Sequence, residues 1–436
     1  MQTLTSRPAT GLQGTLTVPG DKSISHRGLM LGAISMGQTT LTNFLPADDC
    51  LSTLTALQQL GIDINRDDTT VTIQGRGLHG LTASAQPLDM GNAGTATRLM
   101  AGLLAGQTFD STLVGDASLS QRPMARVQQP LATMGAEIDL TDGHLPMHIH
   151  GRSLMAADHY PLQVASAQVK SALILAAIQA PTASTIIEKL PTRDHTERLL
   201  NAFGGDVQTA ADGRTITIQP QPKLQGQAVT VPGDMSSAAF FMTAASIVPG
   251  SNIRLTQVGL NPTRTGLLNV LQRMGGDVTV TSAKSVGEPL GTVTVKAASL
   301  NPIDLGAEDI PAVIDELPLV ALLAATADGV SHITGAEELR FKETDRIATI
   351  VTELQKLGVA ITEQPDGFTI DGRGDWQLQT PVFDSHGDHR IGMMMAVAAL
   401  RLTETTTLAD EAAINISYPR FFTDLQHLLP TEVSNA

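Results

Sequence analysis

The residues of this chain that could do chemistry gather in a few short stretches. Val18-Pro19-Gly20-Asp21-Lys22-Ser23-Ile24-Ser25-His26-Arg27 follows the alternating run Gly14-Thr15-Leu16-Thr17-Val18. Pro-Gly-Asp after an alternating run marks a strand-to-helix turn, which puts Lys22 and Ser23 at a helix start. The free N–H groups and partial positive charge there suit a phosphate or a carboxylate. Arg27 lies four positions beyond Ser23 and so shares its face. Gly91-Asn92-Ala93-Gly94-Thr95-Ala96-Thr97-Arg98 opens a second helix whose small residues let a ligand approach the backbone, although an ordinary cap looks the same.

Further cations recur in the same setting. Ser118-Leu119-Ser120-Gln121-Arg122-Pro123-Met124 puts Arg122 just before an expected helix-starting proline. Ser166-Ala167-Gln168-Val169-Lys170-Ser171 opens an apolar helix, and Arg193-Asp194-His195-Thr196-Glu197-Arg198 is a charged start to another. Taken singly, Lys170, Arg193 or Arg198 reads as a surface residue. Leu339-Arg340-Phe341-Lys342-Glu343-Thr344-Asp345-Arg346 is the densest charged run, and a salt-bridged helix pairing Lys342 with Asp345 and Glu343 with Arg346 explains its spacing. Asp315 and Glu316 precede the apolar helix expected over Leu317 to Ala325, where capping accounts for one of them. Asp384-Ser385-His386-Gly387-Asp388-His389-Arg390 combines two His with two Asp. It favours anion binding over a metal, because Gly and Arg interrupt it and it offers no clear ligand set.

The elements that must hold these residues are written as repeats. The first turn reappears almost half a chain later as Val231-Pro232-Gly233-Asp234-Met235-Ser236-Ser237-Ala238-Ala239-Phe240, with Met235 and Phe240 in place of Lys22 and Arg27. A shorter unit, a helix ending in Gly followed by strands, recurs five times, with Gly61, Gly135, Gly204, Gly275 and Gly358 as left-handed caps. The sixth copy is expected to be split, with its helix at Phe421 to Leu429 and its strand at Gly11 to Val18. The expected domains are therefore 21–233, and 234–436 completed by the N-terminal strand of 1–20. Crossings are expected near Gly20 and Gly233.

Composition narrows the possibilities. A chain of 436 residues is expected to form more than one domain, and its 3% aromatic content leaves the cores to aliphatic residues. A net charge of −15 argues against nucleic acid and anionic membranes as partners. The single cysteine, Cys50, excludes an internal disulfide and fits a reducing compartment. The N-terminal stretch lacks a signal peptide's apolar core, and no apolar run approaches a membrane span, so a cytoplasmic protein is expected.

Taken in order, Gly20-Asp21-Lys22-Ser23 with His26-Arg27, Gly91-Asn92-Ala93-Gly94-Thr95, Gln121-Arg122-Pro123-Met124, Lys342-Glu343-Thr344-Asp345-Arg346 and Asp388-His389-Arg390-Ile391 resemble the 5-enolpyruvylshikimate-3-phosphate synthases, within the enolpyruvyl transferase family. The resemblance runs nearly end to end. It implies an α/β fold, a two-domain inverted α/β barrel of six helix/strand repeats, three per domain. It also implies transfer of the enolpyruvyl group of phosphoenolpyruvate to shikimate 3-phosphate by a monomer, with no cofactor and no metal.

Carried over to this chain, the resemblance assigns Lys22, Ser23, Arg27, Ser166, Ala167, Gln168, Arg193, Asp315 and Lys342 to shikimate 3-phosphate. Lys22, Gly94, Arg122, Gln168, Arg346 and Arg390 go to phosphoenolpyruvate. Asp315 resembles the base acting on the hydroxyl and Glu343 the proton donor, and Lys22, touching both substrates, is counted with them as catalytic. The chain departs from many members in lacking a lysine within Asn415-Ile416-Ser417-Tyr418-Pro419, in having Ala167 for a serine and in having Leu99 for a proline. Two rival readings are a UDP-N-acetylglucosamine enolpyruvyl transferase, which typically carries a cysteine where this chain has Gln121-Arg122-Pro123, and a non-catalytic anion-binding protein.

Overall fold

The computed structural model describes residues 1–6, 8, 10–283 and 287–429. The expected second domain's last residues, 430–436, lie outside the described residues. The chain divides into two compact units, one built on Gly20–Val231 and the other on Met1–Pro19 with most of the chain after Val231.

Each unit is an inside-out α/β assembly with three sheets. The repeated pattern is a buried helix, a strand, a second helix and an antiparallel hairpin. In the first unit the buried helices are Lys22–Ala33, Gly94–Ala105 and Ala167–Ala177. In the second they are Met235–Ile247, Leu317–Ala324 and His389–Ala399, which pack on one another. Every residue of Met235–Ile247 is buried. A helix buried on every side belongs inside a core, and in Met235–Ile247 small Ala and Ser residues leave room for Phe240 and Phe241. The outer strands show the opposite signature: Asn252–Gly259 alternates exposed with buried positions up to Leu255, as a half-buried strand must, and a register shift between Leu255 and Val258 then brings Val258 inward.

The five cap glycines lie in the left-handed region, with φ of +88° at Gly61, +83° at Gly135, +97° at Gly204, +81° at Gly275 and +78° at Gly358. Each closes a helix and releases the chain into a strand, such as Asp63–Asp67 after Gly61.

The sixth repeat differs from expectation. The strand Gln13–Thr17 pairs parallel with Asn252–Gly259, in the sheet of the unit's first repeat. The sixth sheet consists of Val382–Asp384, Thr407–Ala409 and the two-residue strand Gln2–Thr3. In the first unit, Ala228–Thr230 pairs in the same parallel way with Met36–Thr42. The strand leading into each Pro-Gly-Asp turn thus adds to the sheet of the unit it leaves. This fills an edge in both units, and the sixth sheet has Gln2–Thr3, antiparallel to Thr407–Ala409, where the other sheets have a hairpin.

Helix Gly94–Ala105 meets helix Ala167–Ala177 at Gly102, where a Cβ would stand 2.0 Å from the Ala172 carbonyl oxygen. Gly102→Ala is expected to force the helices apart at about 1–3 kcal/mol, the usual cost of overpacking a core. Urea unfolding measures this, and an unchanged midpoint would mean that the contact is not limiting.

Candidate functional site: two polar constellations at buried helix starts

In the first unit, Asp21 caps helix Lys22–Ala33 by accepting from the Ile24 N–H at 2.9 Å. Lys22, at the first helical position, donates to Asp49 Oδ2 at 2.9 Å. Arg27 is buried and anchored at all three guanidinium nitrogens. Its Nε donates to Thr196 Oγ1 at 2.7 Å, Nη1 to the Ser23 carbonyl at 3.0 Å and Nη2 to Ser171 Oγ at 2.8 Å. Burial brings its pKa down to about 10, against the opposing charges of Glu197 and Asp21, so it stays a cation at neutral pH.

A second group adjoins the start of helix Gly94–Ala105. Arg98 Nη1 donates to Gln168 Oε1 at 2.7 Å and Gln168 Nε2 donates to Thr95 Oγ1 at 2.9 Å, which fixes the amide's orientation. Arg122 Nη2 donates to Asn92 Oδ1 at 2.5 Å. A Cβ at Gly94 would lie 3.0 Å from Arg122 Nη1 and 3.2 Å from Arg98 Nη1, so glycine gives both guanidiniums their room. Helix Ala167–Ala177, capped by Ser166, carries Gln168 toward this group and Ser171 toward Arg27.

Two sequence expectations change here. The helix after Arg122 begins at Ala125, not Pro123. The Met124 N–H donates to the Gly143 carbonyl at 2.8 Å, tying this segment to a hairpin turn before the helix can start. Lys170 is a core residue with 1% of its side chain exposed. Its ammonium binds Glu188 at 3.1 Å, Glu197 at 2.7 Å and the Thr192 carbonyl at 3.2 Å, fixing the segment that carries Arg193. Burial pushes the Glu188 carboxyl up, with Lys170 acting against that rise. Arg193 itself stands half-buried just before helix His195–Ala202.

In the second unit, Asp315, Lys342, Glu343, Arg346 and Arg390 come together. Asp315 Oδ1 lies 3.3 Å from Lys342 Nζ and 3.7 Å from Arg346 Nη1. Arg346, 1% exposed, binds Glu343 Oε2 at 2.5 Å and Asp388 Oδ2 at 2.7 Å. Burial alone would lower its pKa, but Asp388, Glu343 and Asp315 overcome that and raise it above the ordinary arginine value. Arg390 Nη1 donates to the Asp315 carbonyl at 2.7 Å and to Glu316 Oε1 at 3.3 Å.

The charged run is not one salt-bridged helix. Glu337–Phe341 is a short 3-10 turn and the α-helix starts at Arg346. The Glu343–Arg346 pair forms as expected. Asp345 instead caps the helix through the Ala348 N–H at 3.1 Å and pairs with Arg340 at 2.7 Å, while Lys342 reaches Asp315. Glu316 occupies the cap position of Leu317–Ala324 but makes no side-chain cap bond. Its carboxylate goes to Arg390 and to Ser236.

Among the described residues no group of three or more His, Cys, Asp or Glu side chains is placed to hold a metal ion, and His386 pairs with Glu353 at 2.8 Å. No described helix is long and apolar enough to cross a membrane. Of the residues that hold the cations, Asn92, Ser171, Thr196, Glu316 and Asp388 stood in the sequence only as members of motifs, with no sign of this role, and Asp49 carried no signal.

His26 is wholly buried, with Nδ1 2.8 Å from Thr53 Oγ1. Burial drops its pKa to about 3, despite Asp49. Between pH 6.5 and about 3 the unfolded chain therefore binds a proton that the folded chain refuses. The His26 contribution to stability is full above pH 6.5 and declines as pH falls through this window. Unfolding free energy measured from pH 7 to 4 should fall less steeply in His26→Asn than in the wild type, and parallel slopes would exclude this assignment.

The family model described as EPSP synthase (3-phosphoshikimate 1-carboxyvinyltransferase) matches residues 6–425. The 3-phosphoshikimate 1-carboxyvinyltransferase of Lactiplantibacillus plantarum is 70% identical, with 98% of each chain covered. That of Limosilactobacillus fermentum is 55% identical over 96% of this chain and 97% of its own. Among solved structures, EPSP synthase from Acinetobacter baumannii superposes with a TM-score of 0.86 at 42% identity, covering 99% of both chains. The enolpyruvyl transferase NikO from Streptomyces tendae shares the fold, with a TM-score of 0.78 at 18% identity over 98% of this chain and 97% of its own. With a family model spanning nearly its whole length and relatives this similar, the chain belongs to the EPSP synthase family.

Proposed function

We propose that the two constellations carry out the family's reaction, transfer of the enolpyruvyl group of phosphoenolpyruvate to the 5-hydroxyl of shikimate 3-phosphate with release of phosphate. The chain is a transferase of the shikimate pathway, which leads to the aromatic amino acids. The observation that carries the assignment of roles is one buried guanidinium, Arg346, shared by two carboxylates, Asp315 and Glu343. Two carboxylates fixed at different distances from the same cation can divide the acid and base roles.

Asp315 accepts the proton of the acceptor hydroxyl as its oxygen attacks the enol carbon. Glu343 gives a proton to the methylene carbon, and a tetrahedral ketal results. In the second half the Glu343 carboxylate takes a proton back from the methyl group. The C–O bond to phosphate breaks, and the departing phosphate takes the proton held by Asp315. Both carboxyl groups are then restored. Preset cations stabilise the developing charge without reorganising.

Lys22 serves both substrates. Ser23, Arg27, Ser166, the Ala167 backbone, Gln168, Arg193, Asp315 and Lys342 hold shikimate 3-phosphate. Gly94, Arg122, Gln168, Arg346 and Arg390 hold phosphoenolpyruvate. The domains are 21–233, and 234–436 completed by 1–20. The protein works as a cytoplasmic monomer without a cofactor.

Phosphate release from phosphoenolpyruvate tests this reading. It should require shikimate 3-phosphate, should not accept UDP-N-acetylglucosamine in its place, and should survive a chelator. Loss of turnover with chelator and its return with divalent metal would overturn the metal-free mechanism. Asp315→Asn and Glu343→Gln should each slow turnover by about two to four orders of magnitude. Binding of shikimate 3-phosphate should largely survive Glu343→Gln. Near-normal turnover in either variant would remove that residue from the mechanism.

A further inference from the structure

The Pro-Gly-Asp-x-Ser turn occurs twice, and its second serine is built into a buried polar chain. Ser236 Oγ donates to Glu316 Oε1. Arg264 Nη2 donates to Ser236 Oγ at 2.7 Å and to Asp234 Oδ1 at 3.1 Å. The same Glu316 oxygen accepts from Arg390 Nη1 at 3.3 Å, and that nitrogen also donates to the Asp315 carbonyl at 2.7 Å. Glu316 is 1% exposed, Ser236 and Arg264 are each 4% exposed, and the Arg390 side chain is 12% exposed. The chain therefore runs from enclosed Arg264 to a guanidinium beside the Asp315 backbone.

Burying Glu316 is expensive. Its Oε2 is buried with no hydrogen-bond partner among the described residues, although a buried carboxylate normally needs both oxygens satisfied. The start of the Leu317–Ala324 helix does not use it as a cap. Apolar side chains would often stabilise such a place as well or better. An ionic chain adds a fixed orientation: Asp234, Arg264, Glu316 and Arg390 cancel in charge and leave the outer guanidinium little freedom to turn.

We infer that Glu316, braced by Ser236 and Arg264, is the positioning residue for Arg390 and sets the affinity for phosphoenolpyruvate. The inference rests on the proposed assignment of Arg390 to that substrate. The Asp315 carboxylate, assigned to the other substrate, is held by Lys342 and Arg346, and Arg390 touches only its backbone carbonyl, so loosening Glu316 acts mainly on one ligand.

The test is steady-state phosphate release by the wild type, Glu316→Gln and Ser236→Ala, each substrate being varied with the other saturating. Losing a charged hydrogen bond to Arg390 should raise the KM for phosphoenolpyruvate about tenfold in Glu316→Gln. The KM for shikimate 3-phosphate should stay within about twofold. Ser236→Ala should move in the same direction by less. A purely structural role would raise both KM values together or lower only kcat and Tm, and either result overturns the inference. So does a KM for phosphoenolpyruvate that stays at the wild-type value in both variants. If Glu316→Gln does not fold, Ser236→Ala, which removes one oxygen, decides alone. Absence of turnover in the wild type overturns the proposed reaction itself, and this inference with it.

Discussion

A helix enclosed along its whole length has polar groups to offer only at its ends, and this constraint places the chemistry of the molecule. Lys22, Gly94 and Ala167 are each the first residue of such a helix, and Arg390 is the second residue of His389–Ala399, whereas Arg346 opens a helix, Arg346–Gln355, that is buried on one face only. The unbonded N–H groups of a first turn must find partners. At three of these starts an aspartate supplies one: Asp21, Asp345 and Asp388 each accept from a backbone N–H at the head of their helix, as Asp234 does for Met235–Ile247. Those caps fix the first turn, and with it the direction in which the next side chains leave the backbone.

The cations placed there are costly in an acidic protein's interior, and several are stabilised by a carboxylate of their own, whereas Arg27 is held by Thr196, Ser171 and the Ser23 carbonyl. Lys22 has Asp49, Lys170 has Glu188 and Glu197, Arg346 has Asp388 and Arg390 has Glu316. Pairing offsets the desolvation that burial imposes, and it limits the rotamers each long side chain can sample. Arg346 is held most rigidly, because Asp388 takes its Nε edge while Glu343 and Asp315 meet its outer nitrogens. In the proposed reaction the positive charge therefore stays in place while the two carboxylates exchange protons with the substrates.

Much of this was legible in the sequence, for identifiable reasons. The repeats showed because glycine is the residue that most readily adopts the left-handed cap, so five helix ends left the same letter at the same place. The Pro-Gly-Asp turn showed because its backbone demands are narrow. The proposed site residues showed because they stand in short ordered motifs. Their supporting partners did not show. Asp49 and Asp388 reach across sequence separations that no local pattern records. Glu316 looked like a cap because a carboxylate before an apolar helix usually is one. Lys342 and Asp345 suggested a helical pair, but that spacing means contact only inside a helix, and this helix begins at Arg346. Lys170 looked like a surface lysine because nothing in its vicinity reveals Glu188 and Glu197 as buried partners.

The duplicated turn separates what the fold needs from what the chemistry needs. Asp21 has φ −61° and ψ 125°, and Asp234 has φ −66° and ψ 119°. Both carboxylates accept from the first turn of the helix that follows, so the backbone solution is the same in both copies. The side chains at two key positions around it differ. Met235 is buried in the core where Lys22 stands in the first copy. Phe240, where Arg27 would be, meets Phe421 edge-on with ring centroids 5.9 Å apart. A turn of this kind folds as well with Met and Phe as with Lys and Arg. The charges of the first copy are therefore additions to the fold, and Arg27 is retained in a buried place that lowers its pKa. In the second copy the same freedom turned Ser236 inward, onto Glu316. One half of the duplication thus directs its first turn to the cations at the helix start, and the other directs it to the buried chain behind Arg390.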